Sequence, residues 1–270
     1  MRTTTTTPRE QGFTLVELAI VLVIVGLLIG GILKGQELIA GTRVNSAVTQ
    51  IKAIETATFT FLDTYGGFPG DLANAAGRIP GCTDFPCSQG TLNTATAGNS
   101  RIDGTPDLAY GANAARATTD EKAMFFNQLR ASDLISGFTG AANNTVGDGV
   151  MPSSLAGGTH YRIGTAAVAA NLVAANPVAF SAGHYLTLTG TAPGTAITAA
   201  TTGVLGLEPK QSEGIDRKLD DSRPNTGRVL AANQSATLGG TTCVSAAVAT
   251  GIYNTAQTGS ICSLYIGVAQ

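Results

Sequence analysis

Residues 9–36 read REQGFTLVELAIVLVIVGLLIGGILKGQ. A polar leader with arginines at 2 and 9 runs into an apolar helix candidate, and Leu18 to Leu33 are sixteen residues without a charge. Glu17 is the one carboxylate inside the start of this stretch. The stretch admits three readings: a cleaved secretory signal, a plain membrane anchor, or a helix that spans a membrane and later packs with copies of itself. A secretory signal has an apolar region of about 7–15 residues and a small-residue cleavage site. Here the run is longer and no A-x-A follows it. Phe13 to Leu33 is twenty-one residues, enough to cross a hydrocarbon core of ~30 Å. Arginines ahead of it place the leader on the cytoplasmic side.

Glu17 bears on the choice between the last two readings. A carboxylate in a spanning helix costs on the order of 2.5–3.5 kcal/mol at the bilayer centre and less near an end. It either reaches the headgroups or has a partner. The segment Gly12-Phe13-Thr14-Leu15-Val16-Glu17, followed by an unbroken apolar run, resembles the processing site of the type IV pilin family, which includes type II secretion pseudopilins and competence pilins. The resemblance implies cleavage by a prepilin peptidase between Gly12 and Phe13 and N-methylation of Phe13. The new amine on Phe13 then becomes a cation in an apolar fibre core, with Glu17 of a neighbouring copy as its counter-charge, because a buried charge persists only when paired.

Past Lys34 the pattern becomes one-sided. Val44, Val48, Ile51, Ile54, Thr58, Phe61 and Tyr65 recur at three- and four-residue steps, with Arg43, Asn45, Lys52, Glu55 and Asp63 mostly elsewhere. This is an amphipathic helix stripe. No proline interrupts Phe13 to Gly66, so one helix of about 80 Å is predicted. Gly66-Gly67 and Pro69 end it. Many pilins kink the stem at a proline. This chain has Gly26, Gly30, Gly31 and Gly35 there instead, which serve either as weak points or as small-xxx-small packing faces.

The formal charge of −2 leaves no basic footprint for nucleic acid. The segment YGGFPGDLANAAGR at 65–78 is similar to a subgroup of prepilin-type proteins, as are residues 120–140 and 208–230. Pro69-Gly70-Asp71 is a turn by mechanism. Four cysteines allow three pairings, and an exported domain favours disulfides. Proximity in sequence suggests Cys82 with Cys87 and Cys243 with Cys262. The second loop resembles the disulfide-bounded C-terminal loop of many type IV pilins. No metal is expected at the cysteines, since the only histidines, His160 and His184, are far off in sequence.

No cofactor is expected. Major pseudopilins hold calcium in an acidic loop, and Asn99, Asp103 and Asp107 form a loose acidic group, but a calcium array needs denser carboxylates. Two scattered histidines imply no catalytic triad, and no enzyme is expected. Thr118 to Glu121 fits a capping box before a helix with Met124, Phe125 and Leu129 on one face. Strands are predicted at Tyr161–Ile163, 177–180, His184–Thr189, Arg228–Leu230 and from Cys262 onward, the last with one buried face. Pro209 opens a helix with Ile215 and Leu219 on its buried edge, and Asp216, Lys218 and Asp221 are read as caps and local ion pairs.

The expected fold is therefore α+β and pilin-like: a long N-terminal helix and a head with a mainly antiparallel sheet. The expected divisions are a cleaved leader at 1–12, a membrane and assembly half of the stem at 13–34, an amphipathic half at 35–66, and a periplasmic or extracellular head at 67–270. The resemblance implies a structural filament subunit in the bacterial inner membrane, then in a filament in the periplasm or at the cell surface. Its partners would be prepilin peptidase, other pilins, the inner-membrane assembly machinery and the lipid bilayer. The alternative is a single-pass anchored periplasmic protein that does not polymerise.

Overall fold

The computed structural model describes residues 14–82, 87–88, 98–102, 121–141, 145–155, 158–166, 180–190, 206–233, 243–244, 251–259 and 261–269. The chain divides into two units, Met1–Thr42 and Arg43–Gln270. Helix α1, Leu15–Tyr65, contributes to both and is unbroken across Gly26, Gly30, Gly31 and Gly35. In the first unit every side chain from Leu15 to Leu33 is exposed.

In the second unit α1 buries Val44, Ala47, Val48, Ile51, Ile54, Ala57, Thr58 and Phe61. Val44, Val48, Ile51, Ile54, Thr58 and Phe61 are stripe positions of the three- and four-residue pattern, Ala47 and Ala57 widen it, and Tyr65 at its end is half-buried. Each large apolar side chain buried contributes roughly 1.5–3 kcal/mol. Thr58 belongs there because its hydroxyl donates to the Ile54 carbonyl at 2.8 Å. Gly66, at φ +63°, stops the helix: its N–H donates to the Leu62 carbonyl at 2.8 Å, the left-handed ending that glycine favours.

The remaining elements are α2 (Ala75–Arg78), α3 (Glu121–Ala131), β1 (His160–Ala166), β2 (Gly183–Thr189), α4 (Pro209–Leu219), β3 (Val229–Asn233) and β4 (Cys262–Ala269). The four strands form an antiparallel sheet in the order β1-β2-β4-β3. Two rows cross it in register. Ile163, Leu186, Ile266 and Val229 are paired neighbours, as are Tyr161, Leu188, Leu264 and Ala231. Both rows join the α1 stripe in one buried cluster. On the other face Ala166, Phe180, Tyr185, Leu230 and Tyr265 form a second cluster.

β4 is a central strand, and its residues from Cys262 to Val268 are buried on both faces. The alternation of Cys262, Leu264, Ile266 and Val268 predicted a single buried face. The hidden partners of the other face are Ser263, which shares a 2.8 Å hydrogen bond with Thr189, and Tyr265, whose ring meets Phe180 edge-on. α3 departs in the same direction. Every residue from Glu121 to Leu129 is buried, not just the face of Met124, Phe125 and Leu129. Thr118, Asp103, Asp107 and residues 177–179 lie outside the described residues.

Gln50 is the polar group that α1 turns inward. Its side chain donates to the Pro152 carbonyl at 2.9 Å and accepts from the Ser154 N–H at 3.0 Å and the Tyr161 hydroxyl at 3.2 Å. Glu55 forms an ion pair with Arg228 just before β3, and Gly214 of α4 sits against Val44. The helix is thus tied to the sheet by two polar contacts as well as by its apolar stripe.

Candidate functional site

The first described residues carry the features that matter most. Thr14 precedes α1 and Glu17 sits in its first turn. The Glu17 carboxylate accepts from the Thr14 N–H at 2.9 Å and from the Thr14 hydroxyl at 2.8 Å, while the Glu17 N–H donates to the Thr14 hydroxyl oxygen at 3.3 Å. This is the reciprocal arrangement of a capping box, which satisfies amides that the helix leaves open. Thr-x-x-Glu is readable in the sequence, although the reading of Glu17 as a counter-charge had not used it. Gly12 and Phe13 lie outside the described residues.

Behind the cap, α1 is long and apolar enough to cross a membrane, and none of that stretch is buried within the chain. A side chain added at Gly26, Gly30, Gly31 or Gly35 would meet nothing within 4 Å. The run ends where Lys34 donates to Glu37 at 2.8 Å, an exposed pair one turn apart.

Residues 7–33 match the family model for the prokaryotic N-terminal methylation motif. The chain has a prepilin-type N-terminus. That signature is the one shared by type IV pilins and pseudopilins, and it marks a substrate of prepilin peptidase. Together with the exposed apolar helix it fits a membrane-anchored chain. No curated protein and no solved structure matches it.

In the head of this prepilin-type chain, Pro69-Gly70-Asp71 does more than turn. Gly70, at φ +88°, donates its N–H to the Gln128 side chain of α3 at 2.6 Å. Gln128 in turn donates to the Cys87 carbonyl at 3.2 Å. The Asp71 carboxylate is buried and accepts from the N–H groups of Gly98, Asn99 and Ser100 at 2.6, 3.3 and 2.5 Å. Burial pushes its carboxyl above the ordinary range, against the downward pull of those amides. Cys82 is bonded to Cys87 and Cys243 to Cys262.

The two histidines are packed in the head. The His184 ring stacks on Phe68 with centroids 4.1 Å apart, and burial, with a smaller contribution from Arg101, lowers it to about 4. His160 accepts from the buried Arg162 guanidinium at 3.2 Å. Burial first, then that cation, lowers it to about 3.

In α4 and the loop after it, Asp216 and Asp221 cap loop ends, as expected. Among the described residues the only salt bridges are Lys34–Glu37 and Arg228–Glu55, not the expected local ion pairs. Asp216, fully buried, accepts from the Tyr253 hydroxyl at 2.8 Å and the Ser222 N–H at 3.2 Å. Asp220 accepts from the Arg228 and Val229 amides. Asp221 accepts from the Arg223 N–H and the Thr226 hydroxyl, both at 2.8 Å. Carboxylate oxygens of the three lie within 4.8 Å of one another. Burial, above all, raises Asp216 to about 7, and its two acidic neighbours add to the rise. Tyr253 lies in the loop between Cys243 and Cys262, a partner no local pattern announces.

Proposed function

We propose that the chain is a structural subunit of a type IV pilus or type II secretion pseudopilus-like filament. The observation that carries this reading is the pairing of the N-terminal methylation motif with an apolar stretch of α1 none of which is buried within the chain. Surface of that kind is stable only in lipid or against other apolar surface. A bilayer serves before assembly, and copies of the same helix serve after it. Prepilin peptidase would cut between Gly12 and Phe13, and Phe13 would be N-methylated. Residues 13–34 would form the membrane and filament half of the stem, 35–66 its amphipathic half, and 67–270 the exported head.

In the filament the Phe13 amine of one copy would meet Glu17 of another. The capping contacts to Thr14 engage one carboxylate oxygen, Oε2, from within its own chain and leave the other to accept the amine. The same contacts favour a second reading, a single-pass anchor that does not polymerise, because a carboxylate already capped needs no neighbour.

Intact-mass measurement on protein from its host is the test of processing. Loss of residues 1–12 and one added methyl group are expected. Electron microscopy of cells making Glu17→Ala separates the two readings: a filament subunit is cleaved normally and depleted from filaments, whereas an anchor is cleaved and unaffected.

A further inference from the structure

The part of α1 within the second unit has an outward face as distinctive as its buried one. Lys52, Thr56, Phe59 and Asp63 fall on one stripe, since eleven residues make about three turns and rise roughly 16 Å. All four are exposed, and Phe59 is 52 % exposed despite its size. The threonines around it do not offer their hydroxyls to solvent. Thr49, Thr56, Thr60 and Thr64 each donate back to the carbonyl four residues earlier, at 2.8 to 3.0 Å. Their donors are satisfied within the helix, and little hydrogen bonding is lost when the face is covered. Small side chains of this kind allow a second helix to approach closely.

The charges on the stripe are unmatched. Lys52 and Asp63 have no side-chain partner among the described residues, whereas nearby Glu55 is held by Arg228. A cation at one end and an anion at the other, with an aromatic between them, are complementary to another copy of themselves.

We infer that this face docks a second copy of the chain, laid parallel and displaced by about three turns, so that Lys52 of one copy meets Asp63 of another. This is a different neighbour from the one whose Phe13 amine meets Glu17, a contact that needs a shift of only about one turn. A parallel, displaced copy leaves one charge of each chain unmatched, and the contact repeats without closing. An antiparallel copy would match both charges at once and close as a dimer. The parallel choice rests on the filament reading, in which all copies share one direction.

The test uses the full-length chain in its host, carrying both Lys52→Cys and Asp63→Cys. The four native cysteines are already paired, so the two new thiols are the ones available to a short bismaleimide. The proposal expects a ladder of dimers, trimers and higher species, with each single variant giving about tenfold less product. It also expects Lys52→Asp alone to lower filament number about tenfold by placing like charges together, and Lys52→Asp with Asp63→Lys to restore it. Dimers alone, or wild-type filaments without cross-links, would overturn this contact and leave the filament reading standing. Absence of filaments from the wild-type chain would take both down.

Discussion

Asp216 on α4 and Tyr253 in the C-terminal disulfide loop are joined by a buried 2.8 Å hydrogen bond. The link couples a helix that packs on α1 to a loop anchored on the central strand. Because the folded-state carboxyl is raised to about 7 from an ordinary 3.8, the folded head holds a proton that the unfolded chain releases. The stability this confers is fully present below about pH 4 and is lost as pH rises through 7. Asp216→Asn removes the titration, so its unfolding midpoint is expected to change less than wild type between pH 5 and pH 8. Tyr253→Phe removes a donor from a buried carboxyl and is expected to cost about 1–3 kcal/mol. Urea titrations at the two pH values measure both.

The histidines act in the opposite direction. His184 and His160 are lowered to about 4 and about 3, so their contribution is complete above pH 6.5 and is lost as pH falls through those values. Between pH 4 and 6.5 the two histidines favour higher pH, while the raised carboxyls of Asp216 and Asp71 favour lower pH. Thermal unfolding across a pH series is expected to show greatest stability between pH 6 and 7. His184→Phe keeps a ring against Phe68 without a titrating nitrogen, and is expected to flatten the acid side of that curve.

Gly70 and Gly66 both hold positive φ, but their surroundings differ. A methyl at Gly70 would lie 2.5 Å from the Glu121 carbonyl oxygen and 3.0 Å from the Phe125 nitrogen, whereas one at Gly66 meets nothing within 4 Å. Gly70→Ala is expected to cost on the order of 2–5 kcal/mol, strain and overpacking together. Gly66→Ala has only the backbone strain to bear, about 1 kcal/mol. Chemical denaturation of the two variants side by side reads the difference.

The two disulfides close loops of different length, with separations of 5 and 19 residues. On the chain-entropy account the shorter contributes about 2 kcal/mol and the longer about 3. Replacing both Cys243 and Cys262 by serine is therefore expected to lower stability more than replacing Cys82 and Cys87. Cys243 and Cys262 are both buried, whereas in the other pair Cys87 is only partly so, which adds to the gap. Melting temperatures of the two double variants provide the check.

Much of this architecture is local and hence legible. The α1 stripe, the strands around Tyr161, His184 and Val229, and the helix opening at Pro209 all follow from periodicity and punctuation within a few residues. What escapes is contact between distant segments. Nothing near Asp71 says that its carboxylate gathers amides 27 to 29 residues away, and nothing near Gln128 announces Gly70. α3 carries Glu121, Lys122, Asn127 and Gln128, which read as a solvent face, yet all are buried. Gln128 finds tertiary partners in the Gly70 N–H and the Cys87 carbonyl, and Asn127 donates back to the Ala123 carbonyl, contacts that a hydropathy pattern does not encode. Glu17 is an intermediate case: the capping-box spacing is written in four consecutive residues, but a carboxylate ahead of a lipid-length run draws attention first to its membrane cost.

β2 and β3 never touch; each is hydrogen-bonded to β4, the last of the four strands to leave the ribosome. The sheet therefore cannot be completed during synthesis of its first three strands: β1 can pair with β2, but the facing edges of β2 and β3 wait on residues 262–269. By then the N-terminal helix has long been made. Order of synthesis alone thus delivers the apolar helix first and a closed sheet last.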